Sequence, residues 1–246
     1  IKKNNLAVVQ LLLHYGADPN ACATGDCLPL YCAVQIGSLP MVQCLLAAGA
    51  SAHHPSNRPL IAAASANRTD IALLLLQSGA EVNKIGSSGH TPLTAASDNG
   101  CLSVVECLLN HGADVNQSDS SGRNPLYVAS EKGHLPVVEM LVNNGADIHA
   151  SVTKYSWYSS STPLQIASRN RHSNVCDFLK EVEKDMEELN RVCKEGNQQM
   201  VESLLEHKPY LSALNKTKNM FLLFASENGH LSVVECLVNH GADVNK

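Results

Sequence analysis

The residues of this 246-residue chain with the most chemistry to offer are its nine cysteines and eleven histidines. Cys22, Cys27 and Cys32 follow one another at five-residue steps, which could gather thiolates around zinc, but the spacing fits no common site and no histidine stands beside it. Cys44, Cys107 and Cys236 would serve as nucleophiles only if each had its own base, yet all three occupy the same slot of a recurring apolar segment. A nucleophile does not recur in this way, so they read as small core hydrophobes. His14, His111, His207 and His240 fall where helices end, and there an imidazole caps carbonyls and suits the dipole. No GxGxxG, P-loop, HExxH or GxSxG occurs. We therefore expect no enzyme, no catalytic residue, no metal site and no cofactor. The odd cysteine count without any CxxC pair reads as reduced thiols, placing the chain inside a cell, in cytoplasm or nucleus.

Composition narrows the elements that carry these residues. Hydrophobic residues make up 44% of the chain and aromatics only 4%, so the core is built from Leu, Val and Ala, which favours many short helices. A net charge of −5 is wrong for a protein that lives on phosphate backbones, so nucleic acid is not expected as a partner. The longest aliphatic run, Ile71 to Leu76, is far short of the roughly 20 residues a membrane span needs, so no membrane insertion is expected within this chain.

Gly-Ala recurs at Gly16, Gly49, Gly79, Gly112, Gly145 and Gly241, with 33 residues as the commonest gap. A second series, residue-Pro-Leu, recurs in phase at Pro29, Pro59, Pro92, Pro125 and Pro163. Between them lie segments such as Val104-Val105-Glu106-Cys107-Leu108-Leu109 and Val137-Val138-Glu139-Met140-Leu141-Val142, each the core of a short helix. Thr91, Asn124 and Thr162 stand where an N-cap is needed, each followed by a proline suited to the first helical position. Gly100, Gly133 and Gly229 end that first helix. The apolar stripe of the second helix is too wide for one partner and must be covered on both sides by neighbouring units.

The run Asp119-Ser120-Ser121-Gly122-Arg123-Asn124-Pro125-Leu126, through Gly133-His134 to Gly145-Ala146-Asp147, resembles the ankyrin repeat nearly position by position. The resemblance covers the whole chain and implies an all-α ankyrin-repeat solenoid of helix-turn-helix units with extended β-hairpin-like fingers, about seven repeats including a partial first one. Residues 1–180 form one array, with a half repeat followed by repeats from about 23, 53, 86, 119 and 152. Residues 181–246 hold a degenerate and a regular repeat and read as the possible start of a second array. Neither end reads as a polar cap, so further repeats are expected on both sides. The implied function is a protein-protein interaction scaffold or adaptor that binds partner proteins through a concave finger and first-helix face. The alternative is a regulatory ankyrin region of a larger enzyme, ubiquitin-ligase adaptor or ion channel whose working domain lies outside this chain.

Repeat phase carries His90, Asp98, Asn99, Arg123, Glu131, Lys132, Arg169 and Asn170 onto that face. The finger after Gly145 is five residues longer than the repeat calls for, and this insertion adds Tyr155, Trp157 and Tyr158, either as partner anchors or as a cover over the repeat that follows. Asn116 and Asn83 stand eight residues after a leucine, a pattern like the one an asparaginyl hydroxylase accepts on ankyrin repeats. The simpler reading, favoured here, is a turn residue that bonds the backbone. Three departures stand out. The family's Thr-Pro-Leu-His histidine is replaced by Tyr31, Ile61, Thr94, Tyr127, Gln165 and Leu223, so its hydrogen bonds are lost or made otherwise. The finger after Gly49 is three residues short. Between Arg171 and Gly196 a whole finger is missing, and the acidic stretch Glu181 to Glu188 reads either as a decayed repeat or as a seam between arrays.

Overall fold

Helix after helix, paired by tight turns, builds the chain in a computed structural model that describes residues 4–21, 28–53, 58–152, 161–218 and 220–244. It forms two compact units, residues 1–123 and 124–246.

The first unit holds α1 (Leu6–His14), α2 (Pro29–Ile36), α3 (Leu39–Ala47), α4 (Arg58–Ser65), α5 (Thr69–Gln77), α6 (Pro92–Asp98) and α7 (Leu102–Asn110). First helices stack in the order α2, α4, α6, and second helices in the order α1, α3, α5, α7. Ile71, Ala72 and Leu75 of α5 and Val104, Val105 and Leu108 of α7 are fully buried, each large aliphatic contributing roughly 2 kcal/mol. On α1, packed against α3, Val8, Leu11 and Leu12 stay about half exposed, which shows why the stripe needs two neighbours.

The lost family histidine is replaced at two positions by other caps. Thr91 Oγ1 accepts from the Thr94 amide at 3.0 Å while Thr94 Oγ1 accepts from the Thr91 amide at 2.9 Å. In the second unit Gln165 Oε1 accepts from the Thr162 amide at 3.0 Å, and Thr162 Oγ1 from the Gln165 amide at 3.3 Å. Both are reciprocal capping boxes, so the bonds expected of histidine are made by Thr94 and Gln165.

The fingers correct one expectation. The described residues contain no β-strand, so there are no β-hairpin fingers; the nearest approach is one isolated antiparallel bridge between Val152 and Ser161. The fingers at 86–90 and 119–123 are instead tight turns: Gly86 N–H donates to the His90 carbonyl and Gly89 N–H to the Gly86 carbonyl, Asp119 N–H to Arg123 and Gly122 N–H to Asp119, all at 2.9 Å, and Ser120 N–H joins the second turn to the Gly89 carbonyl of the first at 2.8 Å. Arms of two residues are too short for a ladder, and a side chain supplies what the ladder lacks. Asp119 is buried and its Oδ1 accepts from the amides of Ser121 (2.8 Å) and Arg123 (3.0 Å).

The second unit holds α8 (Pro125–Lys132), α9 (Leu135–Asn143), α10 (Pro163–Arg169), α11 (Ser173–Glu195), α12 (Gln198–His207), α13 (Pro209–Lys218), α14 (Met220–Glu227) and α15 (Leu231–Asn239). Glu181 to Glu188 lies in the middle of α11, an unbroken 23-residue helix with Val175, Leu179, Val182, Met186, Leu189 and Val192 buried along one side. This single helix packs on α10, α12 and α14, and so serves both as second helix to α10 and as first helix to α12. Where a finger would follow α12, the chain forms α13 instead, packed on α9 and α12. A buried polar clamp ties α13 to α11: Asp185 accepts from Lys208 Nζ at 2.8 Å and from the Tyr210 hydroxyl, and Lys208 Nζ also reaches Glu181 at 3.1 Å.

Turns between paired helices are locked by the next repeat. His172 donates through Nε2–H to the Glu131 carbonyl at 3.0 Å, and its ring lies against Gly133 so closely that a Cβ there would meet ring carbons at 2.7 Å. Gly133 has φ +77°, so both backbone conformation and space require glycine. His230 repeats the arrangement on the Lys194 carbonyl and Gly196.

Candidate functional site

Within the first unit, the finger and first-helix side holds an open trough of about 670 Å³. Tyr31 and Gln35 of α2 form one wall; Ile61, Ala62, Ser65 and Ala66, on and just after α4, form the floor; Ser87, Ser88 and His90 of the next finger form the other wall. The floor is open because α4 turns Leu60 into the core and presents small alanine and serine beside the largely buried Ile61. Arg58, the first residue of α4, crosses the trough. Its Nε donates to Ser87 Oγ at 3.1 Å, and its guanidinium carbon lies 5.6 Å from the centre of the Tyr31 ring. Gln35 Nε2 donates to the Tyr31 hydroxyl at 2.7 Å and fixes that ring in turn. Among the described residues the lining carries Arg58 and His90 and no acidic residue.

The residues placed on this face by repeat phase divide into presented and retained groups. In the first unit Asn99 is exposed but its Nδ2 donates to the Ala95 carbonyl at 2.9 Å, capping α6; Asp98 beside it is half-buried. Arg123 is drawn back by Asp119 Oδ2, with Nε at 3.0 Å and Nη2 at 2.9 Å, and the same oxygen stands 3.9 Å from His90 Nδ1. In the second unit Lys132 and Arg169 are exposed at the ends of α8 and α10, whereas Asn170 turns its Nδ2 onto the Glu131 carbonyl at 2.8 Å. Tyr155, Trp157 and Tyr158 lie outside the described residues. Asn83 spans two repeats, donating to the Gly112 carbonyl at 3.0 Å and accepting from the Asp114 amide at 2.8 Å. Asn20 does the same on Gly49 and Ser51. Asn116 is half-buried, its amide donating to Asp114 Oδ1 at 2.9 Å.

Nothing in the repeat pattern singles out Arg58, which stands just before its repeat's Pro-Leu, or Tyr31, which reads there only as a missing histidine. Nor did it single out the Asp185, Lys208 and Tyr210 clamp, whose members are 23 and 25 residues apart and meet only because α13 folds back onto α11.

Cys22 and Cys27 lie outside the described residues. Cys44, Cys101, Cys107, Cys176, Cys193 and Cys236 are free thiols, Cys44 and Cys107 half-buried and the others buried, and Cys32 is buried. Burial, and then neighbouring Cys236, push the Cys193 thiol up to about 12. Among the described residues no group of three or more His, Cys, Asp or Glu side chains could hold a metal ion, and no helix is long and apolar enough to cross a membrane.

Comparison with known proteins bears on the whole chain. A family model described as ankyrin repeats (3 copies) matches residues 1–86, 83–152 and 164–246, and one described as ankyrin repeats (many copies) matches 127–179. Among curated proteins, Alpha-latrocrustotoxin-Lt1a of Latrodectus tredecimguttatus is 36% identical over 87 residues, covering 34% of this chain. The chain spans only 6% of that protein's length.

Proposed function

This chain belongs to the ankyrin-repeat family, whose arrays are non-catalytic protein-interaction scaffolds, and from that premise we propose that it binds partner proteins through the finger and first-helix side of its repeats. The observation that carries this choice of face is the contrast between the two helices of a repeat. Second helices bury their stripes between neighbours, while the ends of first helices and the finger tips present Ser87, Ser88, Asn99, Lys132 and Arg169 to solvent. The long finger, with Tyr155, Trp157 and Tyr158, belongs to the same reading as a source of aromatic anchors. A second reading, a regulatory ankyrin region within a larger enzyme, ubiquitin-ligase adaptor or ion channel, is supported by the small share of the matched relative that the chain spans. The unpaired thiols support an intracellular site, cytoplasmic or nuclear. Asn83 and Asn116 stand as hydroxylation candidates, Asn83 with its amide already committed to the next repeat.

The test places a photo-crosslinker at Ser88, Asn99 or Lys132, on the proposed face, and at Glu106 or Glu139, on exposed positions of second helices. Partner proteins captured from the first group and not the second support the face. Capture confined to Glu106 and Glu139 removes it.

A further inference from the structure

The turn that closes each described first helix passes through one residue in the left-handed region. Gly37, Gly100, Gly133, Gly196 and Gly229 fill that slot at φ between +66° and +77°, and Asn67, whose short polar side chain tolerates it, at +53°. After α10 the slot holds Arg171 at φ +63°. A long side chain on such a backbone is strained, and a contact within the chain would have to offset the strain. None does: Arg171 is exposed, and its guanidinium makes no hydrogen bond or ion pair among the described residues. Arg169, two residues earlier, is exposed and unengaged in the same way.

The residues that alternate with them turn inward. Asn170 donates Nδ2–H to the Glu131 carbonyl at 2.8 Å, and His172 donates Nε2–H to the same oxygen at 3.0 Å. One carbonyl of α8 thus pins Asn170 and His172 and leaves Arg169 and Arg171 exposed on a backbone that is already fixed, so a partner that meets them has little ordering left to impose. Each guanidinium is a planar fork that takes a carboxylate in bidentate geometry. Two cations in a chain of net charge −5 are too few to follow a phosphate backbone but match a pair of carboxylates.

We propose that the turn 169–172 docks an acidic segment of a partner protein, with one Asp or Glu carboxylate on Arg171 and a second on Arg169. The proposal rests on the finger and first-helix reading and names the chemistry of its partner.

The experiment selects peptides from a random display library on the full 246-residue chain, with counter-selection on its Arg169→Gln, Arg171→Gly variant, and measures fluorescein-labelled winners by anisotropy. The winners should share two closely spaced acidic residues. Arg171→Gly should weaken them about tenfold or more, the loss typical of a charge-assisted bond. Asn or Gln in place of the acid that meets Arg171 should give the same loss, with no further loss on Arg171→Gly. The same variant relieves the left-handed strain, so its urea midpoint should equal or exceed that of the unaltered chain. Arg169→Gln, at an exposed helix end, should weaken the winners without moving that midpoint. Several results overturn the proposal: no peptide survives the counter-selection, the survivors lack acidic residues, or they bind the Arg171→Gly variant unchanged. A lowered midpoint for Arg171→Gly also overturns it, by giving the residue a structural role. So does a labelled oligothymidine strand that binds more tightly than the winners and is lost on Arg171→Gly, which assigns the pair to nucleic acid. In each case, crosslinking of partner proteins at Ser88 or Asn99 would still uphold the broader face, so the two failures are distinguishable.

Discussion

Replacing Gly133 with alanine separates the two demands made on that residue. The backbone demand is φ +77°, a conformation that disfavours an L side chain by about 1–2 kcal/mol. Gly229 occupies the same slot three repeats on, with φ +72°, but a Cβ there meets nothing within 4 Å, so Gly229→Ala measures the backbone demand alone. At Gly133 the added methyl meets the His172 ring, which must leave its rotamer, at about 1 kcal/mol, and give up its bond to the Glu131 carbonyl, at about 1 kcal/mol more. Asn170 also donates to that carbonyl, so the acceptor is not orphaned and the loss stays near the lower value. Gly133→Ala should therefore destabilise by about 2 kcal/mol more than Gly229→Ala, read as the shift in urea midpoint of helical circular dichroism. In a His172→Ala background the excess should vanish, a coupling of about 2 kcal/mol in the double-mutant cycle. If the two glycine variants agree within about 0.5 kcal/mol, or the cycle shows no coupling, the ring is not what fills the space at Gly133.

Burial, and then the bond to Asp185, hold the Tyr210 phenol well above its ordinary value, so the clamp's stabilisation is complete below pH of about 10 and is lost as pH rises through the raised folded value. Tyr210→Phe should cost about 1 kcal/mol near neutral pH, with a gap that narrows above pH of about 10; a gap that stays constant or widens with pH contradicts the clamp. Cys193, buried and raised to about 12, should react with thiol reagents at neutral pH only on unfolding, and the purified chain should hold no stoichiometric zinc; mass spectrometry of the labelled native protein and metal analysis check both. Trp157→Ala should weaken partner binding by about 2 kcal/mol or more with an unchanged Tm if the long finger is an anchor, whereas a drop of roughly 3–5 kcal/mol in stability assigns it to packing. Limited proteolysis should spare Glu181 to Glu188, which α11 runs through unbroken; a first cut there marks a seam between arrays.

What the sequence made legible was periodic. The Gly-Ala and residue-Pro-Leu series locate turns and first helices because each needs a residue type that few others replace: glycine for positive φ, proline for the first helical position. The two-sided stripe follows from the same spacing, and so does the capping role of Thr91, Asn124 and Thr162. Illegible were the places where one residue's job passes to another of different type. Thr94 and Gln165 take over a missing histidine's bonds, and nothing in their identity announces it until Thr91 and Thr162 face them across the first turn. The β-hairpin fingers were inferred from the family's outline, whereas the fingers at 86–90 and 119–123 are tight turns joined by the backbone bond from Ser120 to Gly89, the second braced by the Asp119 side chain.

The site shows the same division more sharply. Phase assigns a residue to a face of the repeat, but a long side chain has reach enough to be recruited by a neighbour. Arg123 and Asn170 sit on the predicted face and spend their donors on Asp119 and the Glu131 carbonyl. Arg58, which phase did not favour, is the cation held across an open trough, because Ser87 comes from a finger 29 residues later and Tyr31 from the helix before. Which charge a solenoid offers a partner is therefore decided between repeats rather than within one. In this chain Tyr31 stands where one repeat has lost its histidine, and the first helix of the next repeat presents Ile61, Ala62 and Ser65 to the trough that the Arg58 guanidinium crosses.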